Sequence, residues 1–103
     1  MNKLLDECIV ACENCVVGCL KMKNTSCISN CIVCEKICKT LKLAIKCNMK
    51  PTLITALKHS CKIACKDCSS SCKSNGMSCC KDCILKCDRL YSMLSKSTKT
   101  KKN

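Results

Sequence analysis

The segment CIVACENCVVGC, Cys8 to Cys19, constrains the fold of this chain more than any other feature. Its four cysteines are separated by steps of four, three and four. The spacing recurs in CISNCIVCEKIC, Cys27 to Cys38, and in CKIACKDCSSSC, Cys61 to Cys72. A fourth copy, GMSCCKDCILKC, has Gly76 in place of its first cysteine and an additional Cys79 beside Cys80. A pattern repeated at this fidelity is an internal repeat. At about 100° per residue, steps of four, three and four keep all four thiols within an arc of about 60° on a helix. A strand would send them to both faces. Each copy therefore reads as a helix carrying a narrow cysteine stripe.

The stripes continue as aliphatic seams: Leu41 and Ile45 after Cys38, Ile54 and Leu57 before Cys61, Leu90 and Leu94 after Cys87. Four helices are expected, at about 3–21, 26–47, 52–73 and 77–94. They are separated by KMKNTS, with Thr25 or Ser26 as a helix cap, by NMKP, with Pro51 suited to a first helical turn, and by KSNGM. Connections this short make neighbours antiparallel, so the expected fold is all-α, an up-down-up-down four-helix bundle with a cysteine-lined core. In that topology the four stripes share the half of the bundle nearest the first and third connections. Leu4, Leu5, Leu41, Ile45, Ile54, Leu57, Leu90, Tyr91 and Leu94 form an apolar plug in the other half. Eleven helical residues give the thiol-lined tube a length of about 16 Å. The domain is expected to span 1–94, followed by a flexible basic tail, SKSTKTKKN, at 95–103.

Composition sharpens the problem. The 103 residues include 17 Cys, one Tyr, and no Phe or Trp. Without its cysteines the core is thin, and a domain of this size needs disulfides or metal besides apolar burial. The N-terminus MNKLLDECIV has Asp6 and Glu7 where a secretory signal would need an apolar run, so a cytoplasmic, reducing location is expected. The odd cysteine count also argues against complete disulfide pairing. No apolar stretch reaches the length of a membrane span. The net charge is +12. With one Arg (Arg89) and no stacking aromatics, nucleic acid is not an expected partner. Positive charge does favour thiolate, and it would offset the negative charge of thiols that lose protons to a metal.

Metal is the stronger reading of the stripes. Residues four apart on a helix have Cβ atoms about 5–6 Å apart. Two thiolates so placed can seat one metal ion in a near-linear geometry, which suits soft Cu(I). The candidate ligands are Cys8, Cys12, Cys15, Cys19, Cys27, Cys31, Cys34, Cys38, Cys61, Cys65, Cys68, Cys72, Cys79, Cys80, Cys83 and Cys87. Facing helices could add a third thiolate or bridge neighbouring ions. Zinc remains an alternative, since straight helices can donate pairs to a tetrahedral site, although no zinc knuckle is present. Ferredoxin-type cysteine spacing and metallothionein-type Cys-x-Cys pairs are both missing from the sequence. A disulfide-stapled helical protein of an oxidising compartment is the other alternative, because paired Cys-x3-Cys motifs on two helices are its signature. No catalytic constellation is seen, so a binding protein is expected rather than an enzyme.

Over about residues 4–94 the inward Cys-x3-Cys-x2-Cys-x3-Cys stripes resemble those of the cysteine-rich four-helix-bundle copper storage proteins. The resemblance implies several Cu(I) ions bound by inward thiolates in each bundle, and assembly into homotetramers. Members without an export signal are cytosolic. The family also uses His and Met near the open end of the bundle, which singles out Met22 and Met77 here. Gly76 departs from the pattern, and Cys79 is its candidate replacement. Cys47 falls off the seam and is not carried over, and His59, opposite its helix's stripe, is expected at the surface. Val10, Val17, Leu43 and Ile63 point outward and are compatible with a subunit interface.

Overall fold

The structure, a computed structural model, describes residues 1–100, with side chains described through Lys96. It contains α1 (Asn2–Lys21), α2 (Ile28–Lys46), α3 (Pro51–Asn75) and α4 (Lys81–Thr100), with a short 3-10 turn, Ser78–Cys80, leading into α4. α1 packs on α2, α2 on α3, α3 on α4 and α4 on α1. The helices thus form a square, and its centre is left to side chains.

Sulfur positions show that neighbours are antiparallel. Down the α1–α4 seam, Cys8 meets Cys87 at 3.6 Å, Cys12 meets Cys83 at 3.8 Å and Cys15 meets Cys80 at 3.5 Å. Down the α2–α3 seam, Cys38 meets Cys61 at 3.5 Å, Cys34 meets Cys65 at 3.8 Å and Cys31 meets Cys68 at 3.6 Å. In both seams one number rises as the other falls, as helices of opposite direction require. The expected all-α up-down-up-down bundle is the observed fold.

The helix ends explain how short links achieve this. α1 and α2 both finish in Schellman motifs. After α1, Asn24 N–H donates to the Cys19 carbonyl and Lys23 N–H to that of Leu20; after α2, Met49 N–H donates to Ala44 and Asn48 N–H to Ile45. The residues that turn the chain, Lys23 and Asn48, are left-handed, with φ of 56° and 52°. α3 begins on Pro51, whose missing N–H costs nothing in a first turn. It ends on Gly76, left-handed at φ 71°. The expected cap at Thr25 or Ser26 does not form: Cys27 is the N-cap of α2, with no side-chain cap bond. Ser26 is engaged instead by Asn24, whose Oδ1 accepts from both its N–H and its hydroxyl.

The fourth helix departs most from expectation. It starts at Lys81 rather than 77, because Gly76 closes α3 and Ser78–Cys80 form the 3-10 turn. Gly76 therefore does not occupy the first position of a fourth stripe. α4 then runs to Thr100, six residues past its expected end, since nothing between Ser95 and Thr100 breaks a helix. Residues 101–103 of the expected tail lie outside the described residues.

The apolar plug forms where expected. Leu5, Leu41, Leu90 and Leu94 are fully buried, and Leu4, Ile45, Ile54, Leu57 and Tyr91 pack around them. Lys62 and Lys66 lie over the Tyr91 ring at 6.0 and 5.8 Å from its centre, covering its outer face. No helix among the described residues is long and apolar enough to cross a membrane.

Candidate metal centre

The stripe periodicity turns one face of each helix to the centre of the square, and the thiols fill it. Fifteen cysteines are buried, Cys79 is half-buried, and Cys47 is exposed near the link between α2 and α3. All sixteen candidate ligands enter one sulfur network. Its inner end is the Cys38–Cys61 pair, next to Leu41 of the plug. Above it, Cys8 lies 4.0 Å from Cys34, and Cys34 lies 4.0 Å from Cys87. The middle holds Cys68 at 3.6 Å from Cys83, with Cys31 3.7 Å from Cys72. At the outer end, Cys19 lies 3.5 Å from Cys27, 3.6 Å from Cys79 and 3.8 Å from Cys80.

These separations can be tested against metal–thiolate geometry. A bond of about 2.3 Å places two sulfurs about 3.8 Å apart on a tetrahedral ion, about 4.0 Å on a trigonal ion and about 4.6 Å on a linear one. Sets of four sulfurs mutually within 4.8 Å include Cys8/Cys12/Cys34/Cys87, Cys8/Cys34/Cys38/Cys65, Cys12/Cys68/Cys83/Cys87, Cys15/Cys31/Cys72/Cys83 and Cys15/Cys27/Cys72/Cys80. Ordered along the tube from the Cys38 end, each set shares at least one sulfur with the next, through Cys8 and Cys34, then Cys12 and Cys87, then Cys83, then Cys15 and Cys72. A thiolate in two sets can bridge two ions, so the tube is a continuous run of overlapping seats. The sharing also argues against a disulfide framework: Cys19 faces Cys15, Cys27, Cys79 and Cys80 at comparable distances, not a single partner.

The protons of this core are held unevenly. Burial pushes the Cys15, Cys19 and Cys80 thiols up, because a thiolate there would lose its water and lie beside other sulfurs. Burial also pushes Cys27 up, but hydrogen bonds from Asn75, Cys19 and Cys80 outweigh it and hold that thiol below its usual value. At the inner end, hydrogen bonds from Cys38 and Cys65 pull Cys61 down to about 5.

Two residues at the outer end escaped the reading of the sequence. Asn75 donates its Nδ2–H to Cys27 Sγ at 3.1 Å, to Cys19 Sγ at 3.6 Å and to Cys80 Sγ at 3.7 Å. Its position had a signal, since Asn75 is the next step of three after Cys72 in the α3 stripe. Gly18 had none. A Cβ on Gly18 would lie 2.7 Å from the Cys79 Cβ, so the glycine makes room for that cysteine. Of the two methionines singled out for the open end, Met22 caps α1 and is exposed, while Met77 precedes the 3-10 turn and packs on the core. His59 is exposed on α3, as expected.

The fold and the site together define a helical bundle whose interior is a sulfur-lined store of seats able to hold metal ions. The family model described as copper storage protein matches residues 1–97, and the chain belongs to that family. No curated protein and no solved structure matches it.

Proposed function

We propose that this protein binds and stores several Cu(I) ions per chain on the sixteen core thiols, as a non-catalytic store. The overlap of the four-sulfur sets carries this reading: seats that share sulfurs fill as a cluster and not as one isolated site. Soft thiolates select Cu(I), and the Cys-x3-Cys pairs Cys15/Cys19, 4.0 Å apart, and Cys83/Cys87, 3.9 Å apart, lie at the trigonal separation, so a third thiolate from a facing helix completes each seat. A cluster with more thiolates than ions is anionic, and the surplus of 19 basic over 7 acidic side chains offsets that charge. Storage in this form needs a reducing compartment, so we place the protein in the cytoplasm. We also propose a homo-oligomer, a tetramer as in the family; exposed Val10, Val17, Leu43 and Ile63 are consistent with subunit contacts.

Titration of the reduced protein with Cu(I) against a competing chelator tests the store. Uptake of about one ion per one to two thiols is expected. Saturation at one or two ions overturns the proposal. Each ligated thiol releases a proton, so the apparent affinity should fall as the pH is lowered.

A zinc store is a second reading with an observation in its favour. The four-sulfur sets draw on three or four helices, and many of their separations match a tetrahedral edge. Competition between Cu(I) and Zn(II) for the metal-free protein separates the two: displacement of all bound zinc by Cu(I) supports copper, and retention of zinc supports the alternative.

A further inference from the structure

We propose that Asn75 is a latch across the mouth of the sulfur tube, setting how fast Cu(I) passes between solvent and store without changing how much is held. The inference rests on the storage reading above. The mouth is where four elements meet: Cys19 from α1, Cys27 from the cap of α2, Cys80 from the 3-10 turn, and Asn75 as the last residue of α3. The Asn75 carboxamide reaches all three sulfurs at 3.1–3.7 Å. It is the one polar, non-thiol side chain whose hydrogen bonds run to the sulfur network among the described residues. Those sulfurs cannot take an ion along the Asn75 direction until the carboxamide leaves.

The other half of the carboxamide makes that departure easy. Oδ1 is buried and has no hydrogen-bond partner. An unsatisfied buried acceptor is costly, and it gains water as soon as the side chain swings out. The closed latch is therefore held by weak N–H···S contacts and opposed by its own oxygen. Adjacent Gly76 is left-handed, and nothing lies within 4 Å of where its Cβ would be, so space is open beside the hinge. Half-buried Cys79, 3.6 Å from Cys19, stands at the outer side and offers the first sulfur.

Uptake then proceeds by ligand exchange. A chelated Cu(I) ion forms a bond to half-buried Cys79 and one of its bonds to the chelator breaks. Each thiol gives its proton to solvent, and copper remains Cu(I) throughout. When Asn75 swings out, Cys19, Cys27 and Cys80 become available, their bonds to copper replace the remaining chelator bonds, and the ion moves inward.

The test mixes reduced, metal-free full-length protein with Cu(I)–bicinchoninate in a stopped-flow instrument and records both the initial rate and the final copper number. Asn75→Ala should raise the uptake rate by about five-fold or more, the scale of one lost hydrogen bond, with the final copper number unchanged. Asn14→Ala, at an exposed position on α1, should change neither. A second readout needs no copper: alkylation of the metal-free proteins by iodoacetamide, resolved by residue, should speed up at Cys27 and Cys80 and not at Cys8 or Cys61. If Asn75→Ala loses helicity, Asn75→Ser, which is polar but too short to reach the sulfurs, replaces it. Uptake and mouth alkylation within two-fold of the native protein, at full copper number, overturn the latch and leave the store standing. A native protein that saturates at one or two ions overturns both, and the copper number identifies that result.

Discussion

At the scale of single residues, the core works because its cysteines are small enough to pack and soft enough to bind. A small apolar residue such as Ala at any of the fifteen buried cysteine positions would keep the site apolar but would interrupt the run of shared sulfurs, and a larger one such as Leu would also overpack it. Gly18 shows how closely the outer end is built. Its missing side chain admits Cys79, and a methyl group there would meet the Cys79 Cβ, which cannot rotate away. Gly18→Ala is expected to cost about 1–2 kcal/mol of stability, since overpacking outweighs the gain in helix propensity. Chemical denaturation measures the cost. The same variant should displace Cys79 toward solvent, which faster alkylation of that residue alone would report. An unchanged midpoint together with unchanged alkylation would show that the close approach is relieved without consequence.

At the scale of elements, none of the first three helices has a side-chain N-cap bond. Their stability must come from the inward face, as is usual for amphipathic helices. Their C-termini are better made, and the two Schellman motifs hold the links to a few residues. One of them carries strain: Lys23 is left-handed, a conformation that costs a non-glycine residue about 1–2 kcal/mol. Lys23→Gly removes that cost and adds about 0.5–1 kcal/mol of chain entropy to the unfolded state. A net stabilisation of about 0.5 kcal/mol is expected in denaturant titrations of the metal-free protein. A destabilised variant would mean that the Lys23 side chain contributes more than its backbone costs. The exposed ion pairs between helices, Lys39–Glu13 and Lys73–Asp88 among them, add little in comparison.

At the scale of the whole molecule, the bundle divides into a plug that folds the chain and a tube that has a cost when empty. Burial raises the thiols of Cys15, Cys19 and Cys80, so folding favours their protonated forms. Below the unfolded thiol value of about 8.5, both states keep the proton and that stability is fully present. Above it the unfolded chain ionises while the buried thiols do not, and each contributes a loss of about 1.4 kcal/mol per pH unit until its folded value is reached. Cys8, Cys27, Cys34, Cys61, Cys68 and Cys83 act in the opposite sense, since hydrogen bonds from neighbouring groups hold their folded values below the usual one, while Cys12, Cys31, Cys38, Cys65, Cys72 and Cys87 join the raised group. Like charges 3.5–4.0 Å apart cannot accumulate along the network, so the raised thiols decide the balance. The melting temperature of the metal-free protein should therefore fall between pH 8 and 10. That of the copper-loaded protein, whose core thiols have already given up their protons to the metal, should stay level. Parallel falls in both forms would show that the thiols are not responsible.

Periodicity alone determined the helices, their order, the inward stripes and the division into plug and tube. It sufficed because a 4-3-4 spacing is meaningful on only one kind of element and short links make successive helices antiparallel neighbours. The same local pattern placed Cys47 and His59 outside the core. Tertiary structure decided what depends on atoms from different helices meeting. The 3-10 turn at Ser78–Cys80 brings Cys79 to Cys19, a contact between residues 60 positions apart. Gly18 matters only because that contact exists. Asn75 lay on the α3 stripe, but its reach to three sulfurs needed the ends of α1, α2 and α3 to converge. The sharing of thiols between seats also appears only in three dimensions, because each shared sulfur is set by the register of two helix seams at once.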